Sequence, residues 1–481
     1  MNGLFPVITE YRMMPGSVLY STSLGGLLVG CPPEVLKTLL AGHLPMPNTV
    51  VLPGTLTRGA SSQACLEFPF YHFLFIQQGL AQGKKFRVLG SASVLEKLKP
   101  MLRVTLTGPN LEEVLSCEQR LGLRSRLSEA KVSAWMKEAE FMALKGAGGK
   151  KLEIEDLVEF VPFEIGQTQV VYPQLDAQPE VTIERTGNNQ YVCQTQGQRF
   201  ECDLEQDPKP QEPSYPIKAV PTSPQEKSSK KAFNVRILGN SEGFDPIRPA
   251  NGLLLRLGGK WLMWDCPAYL RNHLAAVGLE FNDLEGLFIS HVHEDHLEVG
   301  QSLEPGKRVK IFSSPEIFDS MLYKVMANLD CDYETARGHY EFHPVYADEP
   351  FQLLGAEFEV FYSVHAIPAL GLKLTLPQSK GAPKRLFISG DHQSRANIRK
   401  MVDAGVVSKE RELRCREQLE KAGPYDAVLV DVGAGLIHGA PEDYLSCEDP
   451  VYYMHTGKAL KDLPKGHHAT EAGMRVLLVP E

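Results

Sequence analysis

The feature that most constrains this chain is a run of metal-ligand side chains directly after a short apolar segment. Residues 287–289 (Leu-Phe-Ile) predict a buried β-strand, and residues 290–296 read Ser-His-Val-His-Glu-Asp-His. Where the strand runs out, His291 and His293 point the same way because side-chain direction repeats every two residues. The aspartate and the third histidine of the run can face a second position nearby. Imidazole and carboxylate ligands suit zinc, iron or manganese, so the run predicts a metal site at a strand end.

Three more residues of ligand type follow apolar segments further along the chain. His365 comes after Phe-Tyr-Ser-Val, Asp391 ends the stretch Leu-Phe-Ile-Ser-Gly-Asp, and His455 follows Val-Tyr-Tyr-Met. With the first run, this order resembles the signature of the metallo-β-lactamase superfamily. The resemblance implies an α/β fold, an αβ/βα sandwich, with one or two metal ions at its edge.

Carried over position by position, the resemblance implies two metal ions. The ligands of the first ion would be His291, His293 and His365. Those of the second would be Asp295, His296 and His455, with Asp391 bridging the two ions. The cofactors would be divalent iron or zinc, with iron slightly favoured, and each ion would keep an open position for water, hydroxide or dioxygen.

Three further residues have two interpretations each. His438 follows a glycine-rich loop and resembles the general acid of ribonuclease Z-like enzymes, but it is equally expected to pack that loop. Asp295, already a predicted ligand, is the second candidate catalytic residue. Asp265 resembles the aspartate that supports the histidine loop in this superfamily, and a turn or helix-cap role before Pro267 is the equal alternative.

A closer resemblance covers residues 233–481. The stretches 362–371, 431–439 and 452–455 look like the subgroup that includes oxygen-binding diiron proteins. Two departures lie beside the predicted metals: His392 follows the bridging aspartate where the subgroup usually has threonine, and Asp431-Val-Gly replaces its Glu-Ala-Gly.

The favoured function is therefore a dinuclear metal-dependent hydrolase that acts on a phosphodiester or other ester by metal-bound hydroxide. The alternative is a diiron oxygen-binding sensor or redox protein, followed by a diiron oxygenase of a biosynthetic pathway. The expected partner is accordingly a small-molecule substrate or dioxygen.

Composition limits the classes of partner and the cellular compartment that we expect. The formal charge of −9 gives no electrostatic footprint for nucleic acid, and we expect no nucleic-acid or membrane partner. Nine cysteines are scattered singly, which favours reduced thiols and a cytoplasmic protein. Twelve of the fourteen histidines lie from His273 onward, so the metal chemistry belongs to the second half. The composition is compatible with a homo-oligomer.

The length of 481 residues favours two domains. We predict a degenerate, metal-free α/β domain at 1–204, a linker rich in proline and lysine at 205–232, and the metal domain at 233–481. Within the first domain, residues 111–144 predict a surface or interface pair of helices, whose charges are most simply expected on a solvated face. Residues 157–204 predict a β-meander through their alternating pattern and turn residues.

The interpretation of the first domain depends on an apparent internal repeat. Four segments match in order: 26–29 with 252–255, 30–32 with 265–267, 50–54 with 287–291, and 83–91 with 306–314. Where the second copy has its histidine loop, the first has Gly54-Thr-Leu-Thr-Arg-Gly59 and no ligand. An unrelated α/β domain with a similar alternation of strands and helices is the other interpretation.

Overall fold

The computed structural model describes residues 8–479 with the exception of 176–178, 224–228, 230, 421–422, 434, 436 and 458–459. Across those ranges the chain forms two halves of similar design. None of the described helices combines the length and the apolar character that a membrane crossing requires.

A six-stranded sheet forms the base of the first half. The strands up to residue 162 are β1 (Thr9–Met14), β2 (Ser17–Thr22), β3 (Gly25–Val29), β4 (Pro47–Val51), β5 (Thr57–Arg58), β6 (Ser61–Ser62), β7 (Phe86–Gly90) and β8 (Val158–Pro162). β5 and β6 pair only with each other, and the others form one sheet in the order β1-β2-β3-β4-β7-β8. The β1-β2 and β2-β3 pairs are antiparallel, and the β3-β4, β4-β7 and β7-β8 pairs are parallel.

Helices connect these strands. They are α1 (Val35–Ala41), α2 (Glu67–Tyr71, followed by a π-helix at His72–Ile76), α3 (Ala92–Thr107), α4 (Leu111–Arg120), α5 (Glu129–Met142) and α6 (Ile154–Leu157). The longest, α3, buries an apolar face that includes Leu95, Leu98 and Leu102, which is the spacing expected of a helix lying against a core.

A second, antiparallel sheet covers the first and contains the predicted β-meander. Its strands are β9 (Thr168–Tyr172), β10 (Val181–Arg185), β11 (Gln190–Thr195) and β12 (Gln198–Asp203). Buried side chains of both sheets, such as Leu27, Val51, Ile183 and Cys193, form one apolar core. The first half is therefore a sandwich with one short sheet.

Two seven-stranded sheets form the second half. The strands are β13 (Phe233–Gly239), β14 (Gly252–Leu257), β15 (Lys260–Trp264), β16 (Leu284–Phe288), β17 (Val309–Ser313), β18 (Tyr340–Pro344), β19 (Phe351–Leu353), β20 (Ala356–Tyr362), β21 (Leu370–Leu376), β22 (Lys384–Ile388), β23 (Ala427–Asp431), β24 (Val451–Met454), β25 (His467–Ala469) and β26 (Arg475–Val479). One sheet has the order β18-β17-β16-β15-β14-β13-β26, and the other runs from β19 to β25 in sequence order.

The helices of this half are α7 (Leu270–Ala276), α8 (Pro315–Leu329), α9 (Tyr333–Gly338), α10 (Arg395–Asp403) and α11 (Lys409–Glu420). A single core joins the inner faces of the two sheets, with Leu255 and Leu287 from one and Leu372 and Leu429 from the other. The αβ/βα sandwich implied by the sequence resemblance is thereby confirmed.

The strand order of the first half repeats that of the second. The ladder β13-β14-β15-β16-β17-β18 has the same sequence of antiparallel and parallel pairs as the six-stranded sheet of the first half. Equivalent backbone bonds recur: Gly30 N–H donates to Val51 O at 2.9 Å, and Asp265 N–H donates to Phe288 O at 2.7 Å. Both donors have a positive φ, 79° for Gly30 and 65° for Asp265.

One of the four sequence matches is wrong by one strand. Gly252 opens β14, which corresponds to β2, whereas Gly26 lies in β3, which corresponds to β15. The Gly-Leu run opens the second strand of this hairpin in the first half and the first strand in the second half, so composition alone could not set the register. Two of the other matches begin on or span equivalent strands, and the third, 30–32 with 265–267, directly follows the equivalent strands β3 and β15.

In the first half the position of the histidine loop is filled by the turn between β10 and β11. Gly54 N–H donates to Asn188 O at 3.0 Å, and Thr55 N–H donates to Asn189 Oδ1 at 3.0 Å. A side chain at Gly54 would collide, because a Cβ there would lie 2.0 Å from Asn188 Oδ1. The start of this loop, at Gly54 and Thr55, is therefore packed against the β10–β11 turn.

The two halves pack through α3 and α8, which are equivalent helices following β7 and β17. Several charged residues of α4 and α5 are exposed, as predicted, but Arg120 and Glu138 pair with the second half. Arg120 Nη2 lies 2.6 Å from Asp319 Oδ2, and Arg411 Nε lies 2.9 Å from the buried carboxylate of Glu138. Helical periodicity could not show that a second half covers this face.

The described part of the predicted linker packs against both halves. The Tyr215 hydroxyl is 2.6 Å from Glu34 Oε2, and Thr222 N–H donates to Val277 O at 2.9 Å. Residues 224–228 and 230 of the linker lie outside the described residues. This stretch has little apolar area to bury, which accounts for its polar composition. Its described part lies on the surfaces of the two halves.

Ala327 tests how tightly the halves are joined. It belongs to α8 but is fully buried in the core of the first half. We expect Ala327→Leu to lower the free energy of unfolding by about 1–3 kcal/mol through overpacking. Denaturant titration measures this, and Ala275→Leu, on an exposed face of α7, should change stability by less than about 0.5 kcal/mol. Equal effects of the two substitutions would contradict this packing.

Candidate metal centre

The predicted ligands lie at the carboxyl ends of neighbouring strands. The histidine loop follows β16, His365 follows β20, Asp391 follows β22 and His455 follows β24. Because β22, β23 and β24 are parallel, their ends meet at one edge of the second sheet. Each of these four strands is buried, which fixes the loops that carry the polar side chains.

The first group brings together three imidazole nitrogens. His293 Nδ1 lies 3.1 Å from His291 Nε2 and 3.2 Å from His365 Nε2. Asp391 Oδ2 is 3.7 Å from His291 Nε2 and 4.0 Å from His365 Nε2. These separations are close to the roughly 3.4 Å expected between nitrogens around a tetrahedral zinc ion.

His293 and His365 each form a hydrogen bond through one ring nitrogen, and this bond determines which nitrogen has its lone pair facing the cluster. His293 Nε2 lies 3.0 Å from Thr105 O, and His365 Nδ1 lies 3.1 Å from Ile437 O. A carbonyl accepts only, so each of these nitrogens carries the hydrogen. His293 Nδ1 and His365 Nε2 therefore present lone pairs to each other, an arrangement that a cation between them stabilises.

The second group comprises Asp295, His296 and His455. His455 Nε2 is 3.1 Å from Asp295 Oδ2, and His296 Nε2 is 3.3 Å from Asp391 Oδ1. Among the described residues, His296 Nε2 and Asp391 Oδ1 are buried without a hydrogen-bond partner. Buried polar atoms without a partner are energetically costly, and a metal ion bound between them would satisfy both. Asp391 thus points one oxygen to each group.

Asp265 supports this arrangement from beneath. Its Oδ2 is 2.7 Å from His296 Nδ1, and its Oδ1 accepts a hydrogen bond from Ser290 N–H at 2.8 Å. The supporting role is confirmed and the helix-cap alternative is wrong, since Tyr269 occupies the N-cap of α7.

Burial and neighbouring carboxylates shift the pKa values of the histidines at this edge of the sheet. Burial lowers the pKa of His365 to about 4, which keeps its imidazole neutral and able to ligate. Burial also opposes protonation of His455, but the Asp391 and Asp295 carboxylates raise its pKa to about 9. The carboxylates of the cluster therefore favour positive charge beside them, which a proton or a metal ion would supply.

His438 lies beside the two groups. Its Nδ1 is 3.0 Å from Asp431 Oδ2 and 3.5 Å from Asp391 Oδ2, and its ring stacks on that of His455 at 4.5 Å. Burial would lower the pKa of His438, but the Asp431 carboxylate outweighs burial and raises it. Asp391, His438 and His455 are also close enough to form a third group of metal-ligand type.

All eight predicted site residues thus come together: His291, His293, Asp295, His296, His365, Asp391, His438 and His455. Their donor atoms form sets that could each hold a metal ion.

Part of this chain is similar to known proteins. Residues 233–415 match the family model described as anti-Pycsar protein Apyc1. This range contains the histidine loop, His365 and Asp391, but neither His438 nor His455. It also begins at β13, where the second half starts.

Two curated relatives come from Dictyostelium discoideum. The chain is 30% identical to cGMP-dependent 3′,5′-cGMP phosphodiesterase A over 161 residues, which are 33% of this chain and 18% of that protein. It is 26% identical to cAMP/cGMP-dependent 3′,5′-cAMP/cGMP phosphodiesterase B over 210 residues, or 43% of this chain and 18% of that protein. The matches thus span less than a fifth of either relative.

Among solved structures, the metallo-β-lactamase fold protein YhfI from Bacillus subtilis aligns with a TM-score of 0.39 and 12% identity. The alignment covers 51% of this chain and 99% of that protein.

Several residues at the site were missed by sequence reasoning. Asp431 was noted only as a departure from a family pattern, although it contacts His438 and lies 3.7 Å from His455 Nδ1. Its position at the end of the apolar strand β23 was a usable signal, since Asp391 and His455 were found in that way. Thr105 contacts His293 through its backbone carbonyl, and such a contact cannot be recognised from the type of residue.

Asp265→Ala tests the second group. Loss of the carboxylate frees the His296 ring, and loss of such supporting partners typically weakens metal binding by about 10–100-fold. Chelator competition measures the affinity. The control is Asp319→Ala, which removes another buried, hydrogen-bonded aspartate of the same half and should leave metal affinity unchanged. Unaltered affinity in Asp265→Ala would remove Asp265 from the site.

Proposed function

We propose that this chain is a phosphodiesterase with two metal ions that hydrolyses a 3′,5′-cyclic nucleotide. The observation that carries the proposal is the pair of His/Asp groups that share Asp391. Two adjacent ions with a bridging carboxylate are the arrangement that phosphatases and nucleases use for displacement at phosphorus.

The substrate class comes from the sequence relatives. Both Dictyostelium proteins are named as cyclic-nucleotide phosphodiesterases. The matched family range holds five of the six terminal ligands and Asp391. The matches cover a small share of each relative, so the activity of those whole proteins is carried over only as part of this proposal.

The protein's own side chains would orient the substrate and move one proton. When bound, the ions would activate a water molecule and stabilise charge on the phosphoryl oxygens. As the water oxygen forms its bond to phosphorus, the bond from phosphorus to O3′ breaks and O3′ needs a proton. His438 would give this proton: because Nδ1 donates to Asp431, Nε2 would be the nitrogen that protonates O3′.

A diiron oxygen-binding sensor or redox protein is the alternative, followed by a diiron oxygenase. The donor set favours neither metal, because histidine and aspartate without thiolate suit iron as well as zinc. Elemental analysis and an absorption spectrum of the purified protein separate the two. A coloured protein whose visible band responds to oxygen would support the alternative.

The first test of the proposal is hydrolysis itself. We expect the purified chain to carry two metal equivalents and to convert 3′,5′-cyclic GMP or cyclic AMP to the nucleoside monophosphate. Chelation should abolish turnover and metal should restore it, whereas Asp391→Ala should release at least one ion because both groups lose a carboxylate. Product chromatography and elemental analysis give the readouts. A metal-loaded protein with no turnover on either nucleotide or on a chromogenic phosphodiester would contradict the proposal.

The His438→Ala variant distinguishes two roles of His438, proton donor and metal ligand. If His438 acts as a general acid, the variant keeps both ions and loses about 10²–10⁴-fold in kcat. A chromogenic phosphodiester with a good leaving group needs little protonation, so its hydrolysis should fall much less. Loss of an ion in His438→Ala would instead make His438 a ligand.

A further inference from the structure

Two buried glutamates, one from each half, exchange hydrogen bonds across the interface next to the histidine loop. Glu67 Oε2 accepts from the Glu294 backbone N–H at 3.0 Å, and Glu294 Oε2 accepts from the Glu67 backbone N–H at 3.0 Å. Glu67 is 1% exposed and Glu294 is 8% exposed. Glu294 sits between the ligands His293 and Asp295, so this exchange fixes the backbone in the middle of the loop.

Lys324 forms an ion pair with Glu67 and extends the contact to both ends of the loop. Its Nζ lies 2.6 Å from Glu67 Oε1 and donates to Val292 O at 2.7 Å and Leu297 O at 3.2 Å. The side chain is 3% exposed. A buried ammonium between one carboxylate and two carbonyls satisfies the polar groups that the loop leaves unpaired.

The first half also orients a ligand directly. Thr105 O, near the carboxyl end of α3, accepts from His293 Nε2 and turns Nδ1 toward the first group. The half that carries no ligand therefore contacts the loop at its backbone and at one of its rings.

We propose that Glu67 is a positioning residue for the metal centre of the other half: its carboxylate holds the histidine loop in the shape that binds metal. The inference deepens the proposed function and rests on the cluster being a metal centre. It gives the first half a specific role, since the segment that lost its own site now supports the remaining one.

Three conservative variants test the role. Glu67→Asp keeps the charge facing Lys324 but is one methylene too short to reach Glu294 N–H. Glu67→Gln keeps the reach and one oxygen acceptor but removes the charge. Glu118→Asp is the matched control: Glu118 is 1% exposed, lies in the first half, and accepts from the Tyr346 hydroxyl of the second half at 2.8 Å.

The measurements use the full chain with Co²⁺ or Zn²⁺ alone. Chelator competition gives the affinity, and the visible bands of Co²⁺ report on the geometry of its ligands. We expect Glu67→Asp to bind at least about 10-fold more weakly with altered Co²⁺ bands. Glu67→Gln should recover affinity to within about threefold of the parent, while Glu118→Asp should lower the melting temperature without changing affinity.

Two results would overturn the inference. One is parental affinity and spectrum in Glu67→Asp, or an equal loss in Glu118→Asp. The other is an equal loss in Glu67→Gln, which would assign the effect to the charge beside Lys324. A parent chain that binds no metal would overturn the proposed function as well, whereas a parent that binds metal and cleaves substrate, with Glu67→Asp unaffected, would overturn this inference alone.

Discussion

The second half depends on lone pairs that face one another inside a protein core. His293 and His365 each donate one ring hydrogen to a backbone carbonyl, and their other nitrogens then meet 3.2 Å apart. Without a cation this contact is repulsive, and burial prevents water from relieving it. The sandwich holds the arrangement because each ligand loop follows a buried strand, so the cost of assembling the cluster is met by the apolar core.

The ligand set was readable from the sequence because metal chemistry needs particular side chains at strand ends. His365, Asp391 and His455 each follow an apolar run, and the αβ/βα sandwich follows from that order together with the resemblance. Asp265 was found in the same way, with its role decided only by the distance to His296. For these residues, the type of side chain and its position after a strand were enough to predict a place at the site.

Other features could not be predicted because they depend on backbone atoms or on contacts between distant segments. Thr105 contributes a carbonyl, and Glu67 binds a backbone amide 227 residues away. The charges of Arg120 and Glu138 looked like a solvated surface, yet the second half covers both. Local periodicity describes one face of a helix and says nothing about a partner so far along the chain.

The equivalence of Gly30 and Asp265 has a consequence for the substitutions that the first half can accept. Both have a positive φ, but a Cβ at Gly30 would lie 2.0 Å from Gly16 O, while Asp265 carries a full side chain. An aspartate at position 30 would therefore require the β1–β2 turn at Gly16 to move away, and the turn at Asn188 would still lie against Gly54. A single substitution at position 30 is thus not enough to give the first half the support that Asp265 gives the histidine loop.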